Sequence, residues 1–345
     1  MINVNLNGMD VQGREGETIL EVASREGLYI PTLCHHPDLS TFGGCRVCMV
    51  EANGKIVTAC RAPIWDGMVI KTDTPKVRQV RLTNVELLMA NHNKQCQTCS
   101  RNNSCQLQEV SAYVGITPER MARLRRKELD TPADDSNPFF YRDFSKCIMC
   151  GICIRSCQEI NGIAVLDFAF RGYDTAVSVS GDKPLMESKC ESCGECLVRC
   201  PTGALAYTKI PLPERKVKTV CSYCGVGCGV ELGVRGDQIV SVDGDRSSPV
   251  NHGELCVKGR FGFNFINHPE RLKMPLVKKN GKFEETSWDE ALELVASKFN
   301  EIREKHGPGV IGGASSARCT VEENYLFQKL LRAQGTNNID HCARL

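Results

Sequence analysis

Aromatic residues are scarce in this 345-residue chain, at 6%, and hydrophobic residues reach only 41%. Large apolar cores throughout the molecule are therefore not expected. No apolar run approaches the roughly 18 residues that a membrane span requires, so no spanning segment is predicted. Charge of one sign is lacking too: 43 basic residues stand against 41 acidic ones, for a net charge of +2. That balance gives no electrostatic footprint for nucleic acid or an anionic membrane. The opening stretch MINVNLNGMDVQG has neither a basic n-region nor an apolar h-region, and Arg125-Arg126 lies too deep for a twin-arginine signal. A cytoplasmic location is the expectation. At roughly 150 residues per domain, the length corresponds to about two ordinary domains. What the chain has in abundance is cysteine, 21 residues in all. The cytosol keeps thiols reduced, so a disulfide framework is disfavoured and metal ligation becomes the default reading.

The cysteines fall into five sets. The first is Cys34-x10-Cys45-x2-Cys48-x11-Cys60, within which Gly43-Gly44 lets the backbone approach whatever Cys45 and Cys48 bind. Its spacing differs from the plant-type C-x4-C-x2-C run; zinc is the alternative, although zinc sites seldom leave a ten-residue gap. The second is His92-x3-Cys96-x2-Cys99-x5-Cys105, which taken alone also suits zinc. The third and fourth are Cys147-x2-Cys150-x2-Cys153-x3-Cys157 and Cys190-x2-Cys193-x2-Cys196-x3-Cys200-Pro201. Two such runs specify a bacterial-type two-cluster ferredoxin, in which the fourth cysteine of each run ligates the other cluster. One cubane is then expected on Cys147, Cys150, Cys153 and Cys200, and the other on Cys190, Cys193, Cys196 and Cys157. Gln158 replaces the trailing proline of the first run, and the 32 residues between runs imply an inserted hairpin near Ile163 to Val179. The fifth set, Cys221-x2-Cys224-x3-Cys228-x27-Cys256, again leaves zinc open. Cys319 and Cys342 belong to no set and read as small buried hydrophobes.

Local patterns place these sets on elements. The N-terminal stretch reads as a hairpin, Thr18 to Glu26 as a short helix stopped by Gly27, and Val47 to Thr58 as a hairpin turning at Asn53-Gly54. A helix is predicted over Pro75 to Ala90, and a basic helix over Pro118 to Glu128 with Met121 and Leu124 against the body. Thr131 to Pro138 and Pro211 to Lys218 read as linkers. Val230 to Val234 and Gln238 to Val242 suggest a hairpin through Gly236-Asp237, with a helix over Gly259 to Ile266. After Pro275 the pattern becomes α/β. Ser287-x-x-Glu290 forms a capping box for a helix with Leu292, Val295, Phe299 and Ile302 on one face, ending at Gly307. Val310-Ile311 reads as a buried strand running into Gly312-Gly313-Ala314-Ser315-Ser316, then a helix over Glu322 to Ala333 closed by Gly335, then a strand at Asn338 to Asp340. A strand–glycine–helix order is where parallel sheets bind ligands, which makes Gly313 and Ser315 candidate cofactor contacts. A plain tight turn explains the two glycines equally well.

Several families carry such motifs. The first set resembles the [2Fe-2S] domain at the N-terminus of respiratory complex I's large iron–sulfur subunit and of [FeFe]-hydrogenases. The second is similar to the [4Fe-4S] domain held by one histidine and three cysteines in the same two families. The fifth, with Lys258 two residues after Cys256, resembles the N-terminal [4Fe-4S] domain of molybdopterin oxidoreductases, which implies that Lys258 lies between that cluster and a pterin. As a whole the sequence resembles the catalytic subunit of cytosolic, NAD(P)-linked or hydrogenase-linked formate dehydrogenases; the stretch GASSARCTVEENYLFQKLLRAQGTNNIDHCARL is especially close. The resemblance implies one [2Fe-2S] and four [4Fe-4S] clusters, and a molybdenum or tungsten bis(molybdopterin guanine dinucleotide) in the full-length enzyme. It implies formate oxidation or carbon dioxide reduction, with electrons passed singly to an iron–sulfur/flavin NAD(P)-reducing subunit, hydrogenase-type subunits or ferredoxin. The cofactor does the hard chemistry in such enzymes. In that family the run matching His341-Cys342-Ala343-Arg344 leads directly to a metal-ligating selenocysteine or cysteine. The expectation is therefore a reading frame ended at a UGA codon, and a 345-residue form that relays electrons without an active site.

The resulting fold class is an α+β multidomain iron–sulfur protein. Expected along the chain are a β-grasp [2Fe-2S] ferredoxin domain (1–78), a one-histidine/three-cysteine cluster domain (79–118), a helix and linker (119–137), a bacterial 2[4Fe-4S] ferredoxin (138–210), a molybdopterin oxidoreductase [4Fe-4S] domain (214–270) and the start of an α/β molybdopterin-binding domain (271–345). The competing reading is a complex I-like or stand-alone iron–sulfur electron-transfer subunit.

Overall fold

A computed structural model describes residues 1–93, 95–123, 133–208 and 211–343. Two compact units divide it, Met1–Lys209 and Ile210–Leu345.

The first unit begins with two hairpins whose turns are set by residues that accept positive φ. β1 (Ile2–Leu6) and β2 (Met9–Gly13) turn at Asn7-Gly8, while β3 (Met49–Ala52) and β4 (Lys55–Thr58) turn at Asn53-Gly54. Both central residues of the second turn are left-handed, at φ 45° and 77°, which matches the right-handed twist of the flanking strands. β5 (Met68–Lys71) lies between the hairpins, parallel to β1 and antiparallel to β3, so the sheet order is β2-β1-β5-β3-β4. Across one face runs α1 (Ile19–Arg25), opened by a Thr18/Glu21 capping box and followed by Gly27 in the left-handed region. Alternation along the strands buries Leu6, Met68 and Ile70 against Ile19 and Val22 of the helix. Each such side chain contributes about 1.5–3 kcal/mol of burial.

α2 (Pro75–Ala90) is capped by Thr74 and leads to the second ligand set; α3 (Gln106–Val114) starts directly after Cys105 and ends on left-handed Gly115. A short helix spans Pro118–Arg123; the remainder of the expected basic helix, with Leu124, lies outside the described residues, as do Thr131 and Pro132. Asp134 pairs by backbone with Arg142, and Asn137 is buried, so the stretch before Pro138 packs rather than trailing through solvent. Phe140–Arg142 pairs with Leu205–Tyr207 to bring the ends of the ferredoxin segment together. Between the two cysteine runs, Leu166–Ala169 and Ala176–Val179 form the expected hairpin.

In the second unit, Gly229–Arg235 pairs with Gln238–Gly244, and Arg215–Val220 adds an outer third strand. That strand falls where a linker was expected. All six of its residues are exposed, so it has no buried face to produce an apolar alternation; backbone pairing and the surface ion pairs of Lys216 with Glu231 and Lys218 with Asp245 hold it. The helix over the fifth set is shorter than expected, Val257–Phe261, and continues as a 3-10 turn over Gly262–Asn267.

Further on, Ser287 caps a helix at Trp288–His306, and Gly307 ends it. The Ser287 hydroxyl accepts the Glu290 N–H at 3.2 Å, and the Glu290 carboxylate faces the Ser287 N–H and takes the Thr286 hydroxyl. Leu292, Val295 and Ile302 stay exposed on this helix. Val310 is also exposed and sits in a 3-10 turn at Pro308–Val310; the strand begins later, at Gly313–Ser315, pairing in parallel with Ile339–His341. Pro308 accounts for the shift, since its fixed φ favours a turn over an extended start. The helix between these strands, Val321–Ala333, carries a Thr320/Glu323 capping box. Among the described residues no helix is long and apolar enough to cross a membrane.

Candidate metal centres

Each of the five sequence sets converges in space. Cys34, Cys45, Cys48 and Cys60 are all buried, and they meet as two pairs: Cys34 hydrogen-bonds Cys45, and Cys48 hydrogen-bonds Cys60. The Cys45 thiol holds Cys34 down to about 6, and Cys60 holds Cys48 down to about 7; the donating member of each pair is pushed up. Backbone N–H groups of Cys45, Gly44 and Gly43 also point at the Cys34 sulfur, the Cys45 N–H at 3.5 Å. Two pairs of thiolates in a nest of donors suit a pair of irons. Gly43 is left-handed, and a Cβ there would lie 2.6 Å from the Arg61 side chain, so both conformation and space require glycine.

His92, Cys96, Cys99 and Cys105 line a single cavity of about 620 Å3 at the end of α2. Cys147, Cys150, Cys153 and Cys200 line another, of about 510 Å3. This second grouping is the crossed one: Cys200 comes from the far run. The complementary group forms as well, since Cys157 lies electrostatically beside Cys190, Cys193 and Cys196. The two runs share their backbone solution. Met149 and Ser192 are both left-handed, at φ 55° and 56°, and each aims its N–H at the sulfur two residues back, Cys147 and Cys190, at 3.4 Å. Burial pushes the Cys147 thiol up to about 11, and Cys150, Cys153 and Cys196 well above the ordinary thiol value. Loading must therefore expel protons.

Cys228 faces Cys221, Cys224 and Cys256, and the Cys221 N–H bonds the Cys228 carbonyl at 2.8 Å. Gly259 packs on this group, with a notional Cβ 3.7 Å from the Cys221 sulfur. Lys258 is exposed on the first turn of the following helix. Gly313 lies under its neighbouring helix: a Cβ would stand 2.4 Å from Leu331 and 2.6 Å from Phe327. The Ser315 hydroxyl bonds the Asn324 side chain. Cys319 stands outside the fifth group, although its carbonyl lies 3.4 Å from a notional Cβ at Gly225. Cys342, expected to be buried, is instead exposed, its thiol bonded to the Ser316 hydroxyl at 3.5 Å.

Among the described residues, no three His, Cys, Asp or Glu side chains surround one metal-ion position. A structural zinc would draw its thiolates onto a single point at about 2.3 Å each. The donors are the soft thiolates that iron–sulfur clusters select.

Sequence reading missed the side chains that join the sets. Arg155, on the helix Ile152–Arg155, is buried and donates to the Cys34 carbonyl at 2.7 Å, the Cys150 carbonyl at 3.4 Å and the Ser40 carbonyl. Arg101 donates to the Cys200 carbonyl at 3.2 Å, and the Gln106 N–H to the Pro201 carbonyl at 3.0 Å. Asn161 donates its amide to the Cys193 sulfur at 2.5 Å. Cys34, Cys45, Cys105 and Cys150 accordingly share one apolar cluster. Position within a cysteine run is the sole signal that could have marked Arg155.

Five family models match along the chain: "2Fe-2S iron-sulfur cluster binding domain" over residues 1–75, "NADH-ubiquinone oxidoreductase-G iron-sulfur binding region" over 81–120, "4Fe-4S binding domain" over 184–206, "Molybdopterin oxidoreductase Fe4S4 domain" over 214–268, and "Molybdopterin oxidoreductase" over 271–345. The chain thus combines 2Fe-2S, 4Fe-4S and molybdopterin oxidoreductase domains of mixed α and β structure. Among particular proteins, it is 35% identical over 356 residues to the NADPH-Fe(3+) oxidoreductase subunit alpha of Geobacter sulfurreducens (strain DL-1 / KN400), covering 100% of this chain and 40% of that one. It is 34% identical over 388 residues to the protein of Bacillus subtilis (strain 168) named "Putative formate dehydrogenase YrhE", covering 99% of this chain and 40% of that one. The chain thus spans about two fifths of the length of these curated relatives. A crystal structure of an NAD+-reducing [NiFe]-hydrogenase in the H2-reduced state matches with a TM-score of 0.53 at 29% identity, over 61% of this chain and 91% of that one.

Proposed function

We propose that this chain is the electron-wiring portion of a molybdenum or tungsten formate dehydrogenase whose acceptor is an NAD(P)-reducing partner. The observation that carries the reading is the order of parts: four converging ligand sets, then the molybdopterin-type cluster domain at 214–268, then the molybdopterin segment from 271. Relatives of this composition include one named for formate and one named for NADPH. Formate oxidation yields carbon dioxide, a proton and two electrons, whereas an iron–sulfur cluster supplies one-electron chemistry. The first set would hold a [2Fe-2S] cluster on Cys34, Cys45, Cys48 and Cys60. Four [4Fe-4S] clusters would take the remaining sets, with Cys157 and Cys200 exchanged between the two ferredoxin runs.

The chain's own residues bury all four cysteines of the first set. Peptide N–H groups at Cys45, Met149 and Ser192 stabilise sulfur charge. Lys258 would stand on the path from the fifth cluster toward a pterin, and Gly313 and Ser315 near the cofactor's binding edge. A second reading, an electron-transfer subunit of complex I type, is favoured by the match at 81–120 and by the hydrogenase structure.

Anaerobic purification from the native host separates the two. About eighteen irons per chain, a stoichiometric molybdenum or tungsten, and formate-dependent viologen reduction are expected for the first reading. Full iron without either metal and without a formate response would establish the second. Iron well below that count would overturn the cluster assignment itself.

A further inference from the structure

Arg155 occupies a position that neither cluster binding nor helix formation requires. It ends a four-residue helix within the third set, and it is 7% exposed. Its guanidinium reaches four backbone carbonyls beyond its own turn or at its start. Nη2 donates to the Cys34 carbonyl at 2.7 Å and to the Cys150 carbonyl at 3.4 Å; Nη1 donates to the Ser40 carbonyl, and Nε to Gly151 at 3.3 Å. The bonded carbonyls belong to a cysteine of the first set and a cysteine of the third. The cation also lies over the Phe42 ring, 5.6 Å from its centroid, and Phe42 stacks on Phe168 at 5.7 Å. Ser40, which accepts from Arg155, donates its own N–H to the exposed Glu159 carboxylate at 2.7 Å.

A guanidinium always carries its charge. With neutral carbonyls as its direct acceptors and aromatic rings shielding one side, that charge acts through a medium less screening than water. A reduced cluster holds one more negative charge than an oxidised one, so a fixed cation beside it favours reduction. The planar fork adds geometry, because one rigid group bonded to both loops fixes their separation.

We propose that Arg155 is a positioning residue that ties the first ligand set to the third and, by its buried charge, raises the reduction potential of the [2Fe-2S] centre. This rests on the cluster assignment proposed above. The test uses the full chain, purified anaerobically, in three forms: wild type, Arg155→Gln and Arg155→Lys. Iron and sulfide are counted, and the [2Fe-2S] signal is followed by electron paramagnetic resonance during a redox titration. Gln keeps donors for the carbonyls without charge, whereas Lys keeps the charge without the fork.

The expected result is full iron in R155Q, with its reduced-to-oxidised ratio at fixed potential lowered about tenfold, roughly 59 mV for a one-electron couple. R155K should return the ratio to within about threefold of wild type. Loss of iron from R155Q but not from R155K supports the requirement for charge. An unchanged potential in R155Q, or equal loss of iron from both variants, overturns the proposal in favour of plain packing. A wild-type protein with no [2Fe-2S] signal would instead defeat the cluster assignment, a separate failure visible before either variant is made.

Discussion

Gly203 lies so close to Cys99 that a Cβ on the glycine would stand 2.5 Å from the cysteine sulfur. Cys99 belongs to the second ligand set and Gly203 follows the fourth, so the loop after Cys200 forms a wall of the second site. Cys99 cannot retreat from a methyl group without leaving the cavity it shares with His92, Cys96 and Cys105. Gly203→Ala should therefore cost the second cluster, about four irons per chain, while leaving the others loaded. Iron analysis with low-temperature electron paramagnetic resonance would check it; a full complement of clusters would show that the loop yields instead.

Asn161 and Cys193 offer a finer adjustment. The amide donates to the sulfur at 2.5 Å, and hydrogen bonds to cluster sulfurs set potentials. Asn161→Leu removes the donor. The centre on the fourth set should become harder to reduce by about 1 kcal/mol, on the order of 40 mV for one electron. Potentiometric titration reads this directly, and a shift of the opposite sign would refute it.

A third expectation concerns stability. Glu195 and Arg199 form an ion pair one helical turn apart, each with a side chain 1% exposed, and Arg199 also reaches Asp38 at 3.1 Å. Removing one partner of a buried pair leaves a charge poorly compensated, at a cost of about 3 kcal/mol. Glu195→Gln should lower the temperature at which the visible cluster absorbance is lost by on the order of 5–10 °C. An equal midpoint for both proteins at one heating rate would mean the pair contributes nothing net.

Acid should act through Asp134. Burial pushes this carboxyl up, but hydrogen bonds from Ser136, Arg142 and the Leu185 N–H outweigh it and bring the value down to about 2. A carboxyl depressed on folding contributes stability that is complete above its unfolded value near 3.9 and is lost as the pH falls through its folded value. Asp134→Asn should thus unfold at lower urea than wild type, by a constant margin from about pH 7 to pH 5. The margin should narrow below about pH 4. A gap that persists undiminished at lower pH would assign the effect to shape rather than charge.

Much of this arrangement is legible from residue order because its determinants are local. Asn53-Gly54 needs two positive φ values in succession, Thr18 and Glu21 cap one another across a single turn, and a cysteine run encodes its own loop. The crossing of Cys157 and Cys200 follows from the repeat of that run. Residues whose partners lie far along the chain gave no such sign. Arg155 meets Cys34 across 121 positions, and Arg101 meets Cys200 across 99. Arg215–Val220 was obscured for another reason: its side chains bury nothing, so only the pairing strand reveals it. Gly313 looked like a ligand-binding glycine, yet the pressure of Phe327 and Leu331 already explains its lack of a side chain.

The exchange of fourth cysteines between the two ferredoxin runs has a bearing on how the protein can be made. On the ligand assignment proposed above, a nascent chain released just before Cys200 would complete the site that borrows Cys157 but leave Cys147, Cys150 and Cys153 without their fourth donor. Assembly must wait for the second run to emerge, and the hairpin between them lengthens that wait. Under that assignment, each half of the ferredoxin segment supplies one donor to the other half's cluster.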